Sequence, residues 1–368
     1  MKKRIAIWSH GGIGAGTHAE GVPALEATLL GLAARADLSV YVAEPPRKPL
    51  PTLRIRHVGH MRQLFALPLL VLLFFWDHWR KPYTLIHAFY GLPGGRIACW
   101  LGRKLGIPVV VTFMGGEAAA LPEIGYGHLR EGSKEREKIK TVVREATAIV
   151  CLSEYQKQML CTALSCNGAN VHVIPFSVDP ERFGHKAEQA PHSPARLIHI
   201  GNQNMVKDQA TLLHAFALLQ QEQEATLTML GGDFLRGAIP TMAADLGLSE
   251  HITFAGDIPY DEVAAQLRAH DILLHSSLYE GQGLVYMEAM ATGTAIVSTT
   301  VGLAADLPDA CITKVPIGDA EAMATAITAL LRDHPRRRAQ EEAAHAWLME
   351  HTLAHTIGSY LHLYQQVR

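Results

Sequence analysis

Two glutamates eight positions apart, Glu280 and Glu288, stand among Gly281, Gly283 and Gly293 in the stretch SSLYEGQGLVYMEAMATG, residues 276–293. Paired carboxylates prove little alone in a chain holding 35 Asp and Glu, so the argument rests on what flanks them. An apolar run, Ile272 to His275, leads into Ser276-Ser277 and a glycine loop, and a helix is expected to begin near Leu284. Glycine lets the backbone come close to a ligand, and the first turn of a helix offers unpaired N–H groups to an anion. This is the layout of a nucleotide or phosphate pocket, and it points to an enzyme.

A second glycine-rich loop, SHGGIGAGTHAEG, follows an apolar strand at Arg4 to Trp8. Its Gly14 and Gly16, with Gly11 and Gly12, permit a concavity of backbone N–H groups that suits a diphosphate. Signals for a metal are weak. His351 and His355 are four apart without a third ligand nearby, which reads as solvated helix surface, and no D-x-D pair occurs. The expectation is no metal and no resident cofactor.

The elements that must hold these loops alternate through the chain. Strands are expected at Arg4–Trp8, Ser39–Val42, Thr84–His87, Val109–Phe113, Ala148–Cys151 and Val171–Ile174, with helices between them. A second series starts at Arg196–Ile200 and runs through Thr226–Leu230, Ile252–Phe254, Ile272–Leu274 and Ala295–Ser298. The polar stretch 184–195, with two prolines and no periodicity, reads as a linker. Repeated β-α-β order predicts an α/β protein of two doubly wound, Rossmann-like domains, 1–184 and 195–350, with helix 353–366 packing back onto the first. Ligands in such folds bind beyond the carboxyl ends of the strands, so two domains facing each other would enclose a cleft.

Composition agrees with a globular enzyme. The 368 residues are 48% apolar and 18% charged, and a net charge of −2 gives no reason to expect nucleic acid as a partner. Five cysteines without C-x-x-C spacing fit a reducing cytoplasm, and the apolar part of the N-terminus is too short for a signal peptide.

The chain resembles glycosyltransferase family 4, with its two-domain GT-B architecture. Residues 276–302 are similar to the family's long Glu-x7-Glu signature, and HIGNQNMVKDQATLLHAFALL (199–219) resembles its donor-phosphate loop, with Lys207 at the lysine position. MLGGD (229–233), ITFAGDIP (252–259) and VIPFSVDPERF (173–183) match three further blocks in order. The resemblance implies transfer of a sugar from a UDP- or GDP-sugar, with retention and without a metal, to a glycan or lipid-linked acceptor in cell-envelope or exopolysaccharide synthesis. It implies that Glu288 holds the donor ribose, that Glu280 contacts the donor sugar, and that the Gly281–Leu284 backbone meets the diphosphate. Lys207 would neutralise the leaving phosphate, and Gly14 and Gly16 would approach it.

Some residues depart from the family pattern. Asn202 stands where an arginine is usual, so the phosphate clamp lacks a guanidinium unless Arg236 or Arg96 replaces it. Gln282 replaces a phenylalanine and either reads a donor hydroxyl or faces solvent. Met114 replaces a histidine in VVVTFMGGE while Glu117 keeps the acid, and His87 matches a histidine near the acceptor side. Two alternatives stay open: a catalytically silent sugar-nucleotide binder, and a nicotinamide-dependent oxidoreductase read from Gly14-x-Gly16-x-x-Ala19 with Glu44. Residues 45–81 are basic and run into the apolar stretch 64–76. They form either a buried helix or a segment resting peripherally on the inner face of the cell membrane.

Overall fold

The computed structural model describes residues 3–9, 13–14, 22–46, 48–59, 63–186 and 192–367, with 63 and 64 described by backbone alone. The chain forms two compact units. Of the described residues, one comprises those from 3 to 176 and from 353 to 367; the other comprises those from 177 to 352.

Unit 1 is built on seven parallel strands: β1 (Arg4–Ser9), β2 (Asp37–Val42), β3 (Arg54–Arg56), β4 (Leu85–Phe89), β5 (Val109–Thr112), β6 (Ala148–Cys151) and β7 (Val171–Val173). They lie in the order β3-β2-β1-β4-β5-β6-β7. Every residue of β1, β4, β5 and β6 is buried, as expected where helices cover both faces of a parallel sheet. Ser133 and Ser153 cap the helices Lys134–Glu145 and Glu154–Leu164 by accepting from Glu135 and Gln156 N–H. The helix Leu353–Gln366 belongs to this unit and buries Tyr360 and Tyr364.

Unit 2 carries six parallel strands: β8 (Ala195–Ile200), β9 (Ala225–Leu230), β10 (Ile252–Gly256), β11 (Ile272–His275), β12 (Ala295–Thr299) and β13 (Thr313–Val315). Their order is β10-β9-β8-β11-β12-β13. From β8 the chain turns to β9 on one side and later to β11 on the other. A crevice therefore opens at the carboxyl ends of β8 and β11, the switch point where such folds hold ligands.

The change of unit falls at Phe176–Ser177, ahead of the polar stretch 184–195. Val178 and Phe183 explain this: both are buried in the apolar cluster of unit 2 with Tyr286 and Met290.

Candidate active site

Lys207 and Glu280 come together at the switch point. Lys207 ends a short turn, Met205–Lys207, that follows β8, and Glu280 lies five residues beyond the end of β11. The two loops are bound together by backbone: Leu278 N–H donates to Val206 O at 2.8 Å, and the Ser276 hydroxyl donates to Lys207 O at 2.8 Å. The Lys207 ammonium meets Glu280 Oε1 directly.

Two more donors reach the same oxygen, Ser277 Oγ at 2.8 Å and His275 Nε2 at 2.9 Å. Since His275 faces a carboxylate through Nε2, that nitrogen carries the proton, and the buried Nδ1 has no partner among the described residues. Burial drives the His275 imidazole pKa down, against the pull of Glu280. For Glu280, burial works upward, but the Lys207 charge and the His275 hydrogen bond prevail and hold it well below the usual carboxylate range. The site therefore contains a fixed anion and a fixed cation that face one another, both largely withdrawn from water.

A further layer supports them. His199 stacks on His275 with ring centroids 5.6 Å apart, bonds Leu274 O at 3.0 Å, and receives Gln209 Nε2 at 3.3 Å. Gln209 also donates to Asn202 O at 3.0 Å, which ties the phosphate-loop candidate to the strand beneath it. Burial, with His275 beside it, pushes His199 down to about 3, so it serves as a neutral strut.

Glu288 is on the helix Leu284–Thr292 and is only 5% exposed, so it is no surface glutamate. Burial pushes its carboxyl up to about 7, while a hydrogen bond from Tyr260 works in the opposite direction. The helix begins at Gly283, whose φ of 85° suits glycine, and no side chain caps it. A Cβ at Gly283 would fall 2.3 Å from the Tyr286 ring, and one at Gly302 would fall 2.6 Å from Gln282 O and Glu280 Cβ. These two glycines let the 280–283 turn fold tightly against the loop after β12. Gln282 is buried at 5% exposure, which removes the solvent-facing alternative.

Asn202 has a different task from the arginine it replaces. Its Oδ1 accepts from Gly232 N–H at 3.0 Å, joining the loops after β8 and β9. Arg236 is exposed in the loop after β9, and Arg96 opens a helix of unit 1.

In unit 1, Glu117 is buried and its carboxylate bridges two loops. Oε1 accepts from Gly91 and Leu92 N–H after β4, and Oε2 accepts from Met114 N–H at 2.9 Å after β5. Burial raises it to about 7 against those three donors. His87 has both ring nitrogens engaged, with Tyr364 OH at 2.6 Å and Thr112 Oγ1 at 2.8 Å, and burial pushes it down to about 3. It fastens the C-terminal helix and has no ring nitrogen left for an acceptor. Gly14, at φ 67°, donates to Glu26 at 2.9 Å, while Gly16 lies outside the described residues.

His275, Ser277, Tyr260, Gln209 and Gly302 were not singled out from the sequence. Ser277 and His275 carry a readable local signal, being three and five positions ahead of Glu280. The others owe their places to tertiary contacts. Among the described residues, no group of three or more His, Cys, Asp or Glu is placed to hold a metal ion.

Fold and site together define two Rossmann-like units, one with a charged pair at its switch point. The glycosyltransferase family 4 model matches residues 25–182, and the model described as glycosyl transferases group 1 matches residues 194–333. The chain belongs to this glycosyltransferase family. It is 29% identical over 201 residues to the MMP alpha-(1->4)-mannosyltransferase of Mycolicibacterium hassiacum, a match spanning 54% of this chain and 48% of that protein. It is 26% identical over 322 residues to the GDP-mannose-dependent alpha-(1-6)-phosphatidylinositol monomannoside mannosyltransferase of Mycolicibacterium smegmatis, covering 77% and 82% of the two chains. Among solved structures, sucrose-phosphate synthase from Thermosynechococcus elongatus superposes with a TM-score of 0.79 at 20% identity, over 99% of each chain. Those matches place the chain in a GT-B fold. The family assignment sets aside the nicotinamide-dependent alternative.

Proposed function

We propose that this glycosyltransferase takes its sugar from a UDP- or GDP-sugar held by unit 2. The transfer proceeds with retention and without a metal, to a glycan or lipid-linked acceptor of cell-envelope or exopolysaccharide synthesis. One observation carries the reading: the Lys207 ammonium, the Glu280 carboxylate and the uncapped start of helix Leu284–Thr292 belong to two loops at the switch point of one sheet.

In the transfer, the bond from the anomeric carbon to the diphosphate oxygen breaks and its electron pair leaves with the diphosphate. The acceptor oxygen bonds that carbon and passes its proton to the departing diphosphate oxygen. Negative charge grows on the departing diphosphate, where Lys207 and the helix N–H groups stabilise it in a desolvated site. Glu280, held ionised by three donors on Oε1, keeps Oε2 to accept from a donor-sugar hydroxyl. Glu288 accepts from both ribose hydroxyls, and the Gly281–Leu284 backbone lies along the diphosphate. Asn202 shapes the loop after β8 and offers Nδ2–H to the phosphates. Unit 1 supplies the acceptor side, where Glu117 sets the loops after β4 and β5.

The donor of the Mycolicibacterium smegmatis relative is named as GDP-mannose and its acceptor as a phosphatidylinositol mannoside, which supports a GDP-sugar and a lipid-linked acceptor here. The test is a thermal-shift panel of UDP-, GDP- and ADP-sugars, followed by product analysis with the best donor. Lys207→Ala should lose about 3 kcal/mol of transition-state stabilisation, roughly two orders of magnitude in transfer rate. An unchanged rate in that variant removes the mechanism. Donor binding without transfer or hydrolysis leaves the silent-binder reading in its place.

A further inference from the structure

The helix Gln63–Arg80 shows two faces of different character. Inward, Ala66, Leu70 and Phe74 are wholly buried or nearly so, and Asp77 is anchored at 4% exposure. The anchor is extensive. Asp77 accepts from Tyr41 OH at 2.9 Å and from Arg56 Nε and NH2 at 2.8 Å each, and its carbonyl receives Arg4 at 2.9 Å. Outward, Phe65, Leu69, Leu72, Trp76 and Trp79 are 59%, 42%, 64%, 52% and 76% exposed. Their spacing of four, three, four, three sets them in one stripe along the helix. Single exposed apolar residues are ordinary, but a continuous row of large ones marks a surface that meets something apolar.

Charge identifies the occupant. Residues 45–81 contain seven Lys and Arg and a single acid, Asp77, which lies buried under Arg56. Arg80 stacks over Trp76 at 5.1 Å, so its guanidinium sits at the edge of the stripe, and the next residue, Lys81, is also exposed. Two copies pairing through this face would set basic edge against basic edge. An anionic bilayer surface instead takes the apolar row into its acyl boundary and the cations at its headgroups, where tryptophan also favours the interface.

We propose that this face docks unit 1 onto an anionic phospholipid surface, with the helix lying flat. Spanning is excluded for this helix by its anchored inner face. Its length of about 27 Å also falls short of a hydrocarbon core of roughly 30 Å. Among the described residues, no helix is long and apolar enough to cross a membrane. The proposal stands on the surface alone and does not depend on the donor or the acceptor.

The test is co-sedimentation of the full chain with phosphatidylcholine vesicles, with and without phosphatidylglycerol, across a salt series. The double variant Leu72→Glu, Trp79→Glu changes only exposed positions, so its circular dichroism and melting midpoint should match the parent. We expect binding to phosphatidylglycerol vesicles alone, weakening with salt, and at least about tenfold weaker in the variant. Equal binding to both vesicle types, or an undiminished variant, overturns the proposal. So does a lipid-free dimer, seen by light scattering, that the same two changes dissolve.

Discussion

Binding of the donor should expel a proton, and Glu288 is its source. In the free protein, burial lifts this carboxyl to about 7. Two ribose hydroxyls donating to it would favour the ionised form and return it toward its ordinary value of 4.5. At pH 6 the free carboxyl is about nine-tenths protonated and the bound one almost fully ionised, so about 0.9 proton leaves per donor; at pH 8 only about 0.1 does. Apparent donor affinity should accordingly fall about fivefold as pH drops from 7 to 6, and continue falling below that. Isothermal titration calorimetry in buffers of different ionisation enthalpy measures the proton count directly. Glu288→Gln should bind more weakly, with this release abolished, so the difference between parent and variant isolates the residue from any titration of the nucleotide. A parent that releases no proton near pH 6, or a Glu288→Gln variant that releases as many, refutes the placement of ribose on this carboxylate.

Three other outcomes follow from the geometry. Gly231 has a φ of 128°, and a Cβ there would stand 2.4 Å from Gly201 O; Gly231→Ala should displace the Asn202 loop, cost roughly 1–3 kcal/mol in urea denaturation, and raise the donor KM. Asp77→Ala leaves Arg56 and Tyr41 without their shared acceptor and should destabilise unit 1 by about 3 kcal/mol, read from the urea midpoint. Glu280 titrates below its ordinary 4.5 in the folded protein, so the stability it contributes is complete above that value and drains away as pH falls. Glu280→Gln should therefore flatten the decline of melting temperature between about pH 5 and pH 3, and a slope equal to the parent's would count against the Lys207–Glu280 pair.

The sheets were readable because strands buried on both faces appear as short continuous apolar runs. The helix Leu284–Thr292 begins where the sequence places it, near Leu284 behind the glycine loop. Less was readable where one segment serves two surroundings. The run 64–76 is uniformly apolar, so no periodicity separated its buried face from its exposed one. The short edge strands β3 and β13 and the charged helix His334–Glu350 escaped notice for lack of apolar length. In the site, Lys207 and Glu280 were legible as motif positions. That three donors converge on one oxygen was not, because it depends on how the loop after β8 packs against the loop after β11. His87 shows the converse: a histidine at a strand end looks available, yet its partner Tyr364 stands 277 residues away.

That distant partner bears on biosynthesis. During translation, residues 177–352 emerge with everything their own sheet and helices require, while the earlier β4 and β5 still lack Tyr360 and Tyr364 over His87 and Thr112. The half of the molecule made first is thus completed only after the other, and a ribosome stalled before residue 353 would yield a finished unit 2 joined to an unsealed unit 1.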